Sequence, residues 1–163
     1  METKINLKRE DILKVKIEDE EGNDTGNYLE FDLADTSLPL RVQQLEEEHK
    51  KNLNYLKMSF ILIDKKEDKS GKKLLSSNQE EKYKVLNKFY EKEMDILDLV
   101  LGEGGTKKLL NGRNPYYTMF DDIMNYLEPL KPYFEKGLEE VKNKIKKKYI
   151  VNVEEDADVL EDE

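Results

Sequence analysis

One stretch of the sequence, from Glu81 to Phe134, reads as a helix, a glycine-rich break and a second helix. Apolar residues in its first part recur at steps of three and four, as on the buried face of an amphipathic helix. These residues are Leu86, Tyr90, Met94, Leu97 and Leu101, with Phe89, Ile96 and Val100 beside them. Gly102, Gly104 and Gly105 then fall together, and glycine reaches the left-handed backbone conformation that ends helices. The pattern predicts two helices joined by a compact, glycine-containing corner.

Inside this corner we expect Thr106 to cap a single helical turn that holds Leu109 and Leu110. Gly112 is expected to end that turn, and Pro115 to lie in the first turn of the next helix. The apolar stripe of this next helix consists of Tyr116, Phe120, Ile123, Met124 and Leu127, widened by Tyr117, Met119 and Tyr126.

A last helix is predicted from about Tyr133 to Tyr149, after an interruption or bend at Pro129 and Pro132. Four apolar residues recur in it at steps of four, three and four: Phe134, Leu138, Val141 and Ile145. Because this seam is narrow, it suits a single helical neighbour, either within the protein or on a partner.

The N-terminal part of the chain reads as a β-hairpin over about residues 12–33. Residues Ile12 to Glu18 alternate strictly between apolar and polar, and Leu29, Phe31 and Leu33 do the same after a run of turn formers. A lone hairpin is only marginally stable in water. We therefore expect it to dock on the helical body or to pair with another copy of the chain.

The helical body is predicted to extend over about residues 38–149, so that residues 1–150 form one domain. Its first helix begins near Pro39, and a capping box of Ser77 and Glu80 starts the central helix. Residues 64–73 contain no apolar side chain and are expected to form a mobile loop. Residues 151–163 are predicted to be an acidic, disordered tail. The fold class is mainly α with a small N-terminal β-hairpin (α+β), with a bundle of about four to five helices.

Composition excludes several classes of partner. The chain has 163 residues, 40% of them charged, with a net charge of −9. Its lysines and arginines are interleaved with acids except from Lys142 to Lys148, so it lacks the basic face typical of nucleic-acid binding. No stretch is long enough to span a bilayer, and the N-terminus lacks the apolar core of a signal peptide. We expect a cytoplasmic protein without a nucleic-acid or membrane partner.

The sequence offers little for chemistry, and we expect no catalytic residue, cofactor or metal site. Without cysteine, thiolate chemistry and sulfur-ligated metals are excluded. The corner GEGGTKK lacks the spacing of a phosphate-binding loop. Neighbouring acids such as Asp121 and Asp122 point about 100° apart on a helix and do not converge. His49, the only histidine, is interpreted as structural or exposed, since a hydrolase would need it among convergent acids.

Tyrosine is the most frequent aromatic residue, with nine copies beside five phenylalanines. Its ring supplies apolar contact area and its hydroxyl can form a hydrogen bond, which suits a recognition surface. We assign Tyr83 and Tyr90 to the edge of the core. Tyr116 and Tyr117, at a helix start beside the corner, are the stronger candidates for recognition.

The glycine corner carries a resemblance to a known family. The matching positions are Leu101, Gly102, Gly104, Leu109, Leu110, Gly112, Tyr116, Tyr117 and Phe120. In this order, and after an N-terminal hairpin, they resemble the tail assembly chaperones of long-tailed bacteriophages and prophages of Gram-positive bacteria. The similarity covers about half of the chain, and the hairpin more loosely.

The resemblance implies a non-enzymatic assembly factor in the bacterial host cytoplasm. Such a protein binds the helical tape measure protein, keeps it soluble and leaves as the tail tube polymerises. The tail tube protein is a second candidate partner, and the chain can also form a homo-oligomer. It also implies that a longer form can arise by frameshifting near the C-terminus. The residues we expect to contact the partner are Leu109, Leu110, Tyr116, Tyr117, Phe120, Phe134, Leu138, Val141 and Ile145, although each also fits a role in the protein's own core.

Two other functions remain open from the sequence. A structural component of a phage tail or capsid would use the hairpin to extend a sheet into its neighbours. A small helical regulatory protein is the other alternative. Retention in purified particles would favour the structural component over a chaperone.

Overall fold

A computed structural model describes residues 1–150, with the side chains of residues 1–149. The predicted acidic tail lies outside the described residues. Two antiparallel strands, β1 (Ile12–Glu18) and β2 (Asp24–Asp32), precede the helices. The described helices are α1 (Leu38–Asp64), α2 (Ser77–Leu101), α3 (Gly105–Leu110), α4 (Met119–Leu127) and α5 (Lys131–Ile145), with a 3-10 turn at Glu128–Leu130 and a π-helical turn at Lys146–Ile150. The predicted fold class is confirmed.

The hairpin docks on the helical body, which is the first of the two expected alternatives. In its register Leu13 lies opposite Phe31 and Val15 opposite Leu29, so one face of the sheet is apolar. Leu29 and Phe31 are 3% and 1% exposed and belong to one core cluster with residues of the helices. Burying this face provides the stabilisation that two isolated strands lack.

The helices α1 and α2 form an antiparallel pair. Arg41, near the start of α1, donates to the carbonyl of Leu99 at 2.7 Å. After the end of α1, Lys66 lies 3.1 Å from the carboxylate of Glu81 in the first turns of α2. The apolar stripe predicted for α2 faces α1 across this pair, where Ile96 and Leu97 share a core cluster with Leu45.

The capping box at the start of α2 lies one residue earlier than predicted. The hydroxyl of Ser76 accepts from the Gln79 N–H, and the Gln79 side chain accepts from the Ser76 N–H. Ser77 is unsuited to this role because its hydroxyl accepts from the Lys69 N–H at 2.8 Å. The predicted box of Ser77 and Glu80 was therefore wrong by one residue.

The connection between α1 and α2 is attached to the start of α2. Asp68 accepts the Asn78 N–H at 3.1 Å, and the Asn78 side chain donates to the Lys66 carbonyl at 3.0 Å. The backbone hydrogen bond from Asn78 lowers the pKa of Asp68. These hydrogen bonds attach only residues 66–69 of the connection. The mobility of residues 64–73 as a whole stays a prediction.

The bounds of the last two helices differ from those expected. Helix α4 begins at Met119 and not beside Pro115, because residues 111–118 turn the chain; Asn111 and Gly112 both have positive φ, at 49° and 82°. Helix α5 ends at Ile145, before the π-helical turn. Pro132 lies in the first turn of α5, where its missing N–H costs no hydrogen bond.

Helix α5 packs against the hairpin. The rings of Phe134 and Phe31 meet edge to face, with centroids 4.8 Å apart. One turn further, Gly137 lets Leu33 approach so closely that a Cβ at residue 137 would overlap the Leu33 side chain. The predicted seam of α5 thus has its neighbour inside the protein, but that neighbour is the β-hairpin and not the single helix that was expected.

Candidate functional site

The glycine corner between α2 and α3 is held by Asp98. One carboxylate oxygen of Asp98 accepts both the N–H and the hydroxyl of Thr106, at 2.8 and 2.7 Å. The other oxygen accepts the Gly104 N–H at 3.2 Å. Thr106 is 0% exposed. The expected capping role of Thr106 was wrong: the residue that caps α3 is Gly104, and Thr106 lies inside the helix because Asp98 supplies the acceptor.

The predicted role of the glycines in the turn is confirmed. Gly102 and Gly104 have φ of 86° and 72°, in the region that favours glycine over every other residue. The N–H groups of Gly104 and Thr106 point to Asp98. A carboxylate of the chain thus occupies the donors that a phosphate-binding loop would offer to its ligand. The corner is a structural turn that positions the segment after it.

Gly105 provides a direct test of this packing. A Cβ at residue 105 would lie 2.6 Å from the Cβ of Leu101, which no change of rotamer can relieve. We expect Gly105→Ala to lower the free energy of unfolding by about 2 kcal/mol, measured by urea denaturation. Gly71→Ala is the matched control, since nothing lies within 4 Å of its added methyl group. Equal stability of the two variants would contradict the tight corner.

The expected contact residues do not form one continuous surface. Leu110 is 6% exposed and belongs to the core, while Leu109 is partly buried against it. Phe134 faces the hairpin, and Leu138 and Val141 on the same helix are half-buried. Ile145, in the last turn of α5, is 37% exposed. Of the expected contact residues, only Ile145 and the tyrosines after the corner are exposed enough for a partner to bind.

The aromatic residues after the corner are the accessible part of the site. Tyr117 is 84% exposed and Tyr126 is 80% exposed, whereas Tyr116 is 38% exposed. Burial raises the pKa of Tyr116, with further contributions from a hydrogen bond and the charge of Asp122 and from Tyr126. We call Tyr116, Tyr117 and Tyr126 the tyrosine surface.

The tyrosine surface stands on a rigid support. The hydroxyl of Tyr90 on α2 donates to the backbone carbonyl of Tyr117 at 3.3 Å. Met119, two residues further, is 0% exposed and anchors α4 in the core. Tyr90 is half-buried, as expected for the edge of the core. Tyr83 was also assigned to that edge, but it is 55% exposed.

A buried polar cluster connects α1, α2 and α4. The carboxylate of Glu93 is 0% exposed and lies 2.7 Å from Nδ1 of His49. Its other oxygen accepts from the Asn52 side chain at 2.7 Å, and Asn52 also donates to the Phe89 carbonyl. The His49 ring stacks on Phe120 with centroids 3.7 Å apart. Phe120 thus packs within the protein and is not free to bind a partner through that face.

Sequence reasoning missed Glu93 and Asp98. Both lie among the apolar residues of α2. Glu93 lies four residues after Phe89, and Asp98 lies four residues before Gly102. An acid within an apolar stripe is a signal of a buried polar partner, because an unpaired buried carboxylate is too costly. For Glu93 that partner is His49 on α1.

This cluster has the geometry of a structural pair. Among residues 1–150, no group of three or more His, Cys, Asp or Glu side chains is placed to hold a metal ion. A depression of about 360 Å³ lies elsewhere, between residues 26–30 of β2 and residues 101–103 of the corner. His49 therefore lies outside that depression, with one ring face covered by Phe120.

Comparisons with known proteins add no relative. No family model, no curated protein and no solved structure matches this chain. The helices within residues 1–150 are each too short or too polar to cross a membrane. The resemblance to tail assembly chaperones therefore depends on the sequence pattern around the corner alone.

Proposed function

We propose that this chain is a non-enzymatic phage tail assembly chaperone, which binds the helical tape measure protein and keeps it soluble during tail assembly. The observation that carries the proposal is the tyrosine surface, where Tyr117 and Tyr126 expose most of their side chains. Tyrosine offers a large apolar ring with few rotatable bonds, so binding through it costs little conformational entropy.

The support beneath these tyrosines favours a binding role. Tyr90 holds the backbone at Tyr117, and the buried Met119 anchors the helix that carries Tyr126. A surface that is already ordered loses less free energy on binding than a flexible one. An apolar helical surface on a tape measure protein would pack against such exposed rings.

The charge of the chain suits a protein that keeps its partner soluble. The chain has a net charge of −9, and 40% of its residues are charged. A net charge far from zero keeps a protein in solution. A partner with exposed apolar helices would become more soluble when this charged protein binds to it. We place the protein in the bacterial cytoplasm, where tail assembly takes place.

Co-expression with the tape measure protein tests the proposal. We expect the large helical protein encoded just downstream to remain soluble and to co-purify with this chain. Tyr117→Ser and Tyr126→Ser should each weaken binding by about 2 kcal/mol, about thirtyfold in Kd. Tyr83→Ser is the matched control, because Tyr83 is 55% exposed on a different part of the fold.

Two results would contradict the proposal. One is precipitation of the large protein to the same extent with and without this chain. The other is retention of this chain in finished, purified particles, which would instead indicate the structural component of a tail or capsid. Circular dichroism of the two serine variants must show unchanged helix content, so that loss of binding is not loss of folding.

A further inference from the structure

Helix α1 exposes an apolar face beside the stripe of its buried residues. Tyr55, Met58 and Leu62 are 55%, 58% and 58% exposed. They lie three and four residues apart, so they share one side of the helix. The buried Asn52 and Ile63 lie on the neighbouring side, about 100° around the helix, where Asn52 donates to the Phe89 carbonyl of α2. This face of α1 has no neighbour among the described residues.

The spacing of this face continues beyond its apolar centre. Counting from Glu48, the residues that follow on the same side are Lys51, Tyr55, Met58, Leu62 and Lys65. The steps between them alternate between three and four residues, which is the spacing of a coiled-coil seam. We call these six residues the outer seam. A seam of this spacing fits another helix along its length.

The charges at the two ends of the outer seam differ in sign. Its N-terminal end carries Glu48, within a run of three glutamates, and its C-terminal end carries Lys65 and Lys66. Parallel pairing of two such seams would place Glu48 against Glu48 and Lys65 against Lys65. Like charges at close range disfavour that arrangement.

An antiparallel pair removes this conflict. When Tyr55 of one copy lies opposite Met58 of the other, Lys51 lies opposite Leu62 and Glu48 opposite Lys65. The apolar side chains then meet at the centre, the lysine stem covers Leu62, and opposite charges meet at both ends. One register satisfies all three conditions.

We propose that the outer seam binds a second copy of this chain as an antiparallel two-helix coiled coil, with its two-fold axis between Tyr55 and Met58. Each contact then occurs twice, as two-fold symmetry requires. The tyrosine surface lies on α4 and the segment just before it, outside α1, so the pairing leaves it accessible in each copy. It does not depend on the proposed function, and it would give a dimer two sites for one long partner.

Sedimentation equilibrium of the full chain tests the dimer. Leu62→Lys places a lysine opposite Lys51 and should raise the dissociation constant about tenfold or more. Leu40→Lys is the matched control, because Leu40 is 67% exposed on the same helix but lies beyond the outer seam. We expect the control to dimerise like the unchanged chain.

Charge exchange and cross-linking test the register. Glu48→Lys and Lys65→Glu should each weaken the dimer, and the double variant should restore it. Because the chain has no cysteine, Tyr55→Cys and Met58→Cys chains can be mixed without background. The mixture should form disulfide-linked dimers faster than either variant alone.

Three results would overturn the proposal. The first is a chain that sediments as a monomer at every concentration, and the second is a dimer that Leu62→Lys leaves intact. The third is recruitment of a different protein to the outer seam of a monomer. Helix content measured by circular dichroism separates loss of the dimer from loss of folding in every variant.

Discussion

Replacing Glu93 with alanine is expected to lower the free energy of unfolding by about 3 kcal/mol. The carboxylate is fully buried and accepts hydrogen bonds from His49 and Asn52 at 2.7 Å each. Its removal leaves Asn52, which is 8% exposed, with the Phe89 carbonyl as its remaining acceptor. It also leaves a cavity between α1 and α2, which adds to the cost.

Urea denaturation at neutral pH measures this effect. Glu91→Ala is the matched control, since Glu91 is exposed on the same helix and should change stability by less than about 0.5 kcal/mol. A double-mutant cycle with His49→Ala should give an interaction energy of at least about 1 kcal/mol between the two residues. If Glu93→Ala matches the control, the buried pair does not contribute to stability.

Replacing Asp98 with alanine is expected to have a similar effect, about 3 kcal/mol, through a different mechanism. The variant removes the acceptor of three donors: the N–H of Gly104, and the N–H and hydroxyl of Thr106. Thr106 is 0% exposed, so water cannot replace the lost carboxylate without opening the corner. The destabilisation should therefore be concentrated at the corner.

Hydrogen exchange of the Thr106 amide distinguishes this local effect from general loss of stability. We expect that amide to exchange faster in Asp98→Ala than in Asp95→Ala, whose altered residue is exposed on the same helix. Under the proposed function, the variant should also bind the tape measure protein less tightly, although all three tyrosines are retained. Unchanged exchange at Thr106 would show that Asp98 does not hold the corner.

Local patterns in the sequence were sufficient to predict the fold class. The alternation of Leu13, Val15 and Ile17 gave β1, and steps of three and four gave the helices. The boundaries were less accurate, because they depend on which of several polar groups forms the cap. Ser76 and Ser77 are equally suited by type, and only the approach of Lys69 from the preceding loop decides between them.

The candidate site was harder to predict because it depends on distant partners. Nothing near Glu93 in the sequence indicates His49, which lies on another helix. The seam of α5 was expected to meet a helix, whereas Phe134 meets Phe31 of the hairpin, because periodicity shows which face is apolar but not what covers it. The exposed residues Tyr55, Met58 and Leu62 of α1 were also missed, because their spacing of three and four is the same as that of a buried helix face.

The docked hairpin also has a consequence for synthesis on the ribosome. The hairpin leaves the ribosome first, but its apolar face is covered by Leu101, Leu110 and Phe134, which follow much later in the chain. At ordinary translation speeds the two strands wait roughly 5 to 20 seconds for these residues. The pair of α1 and α2 can form during that interval, so the N-terminal strands are expected to complete their fold near the end of translation.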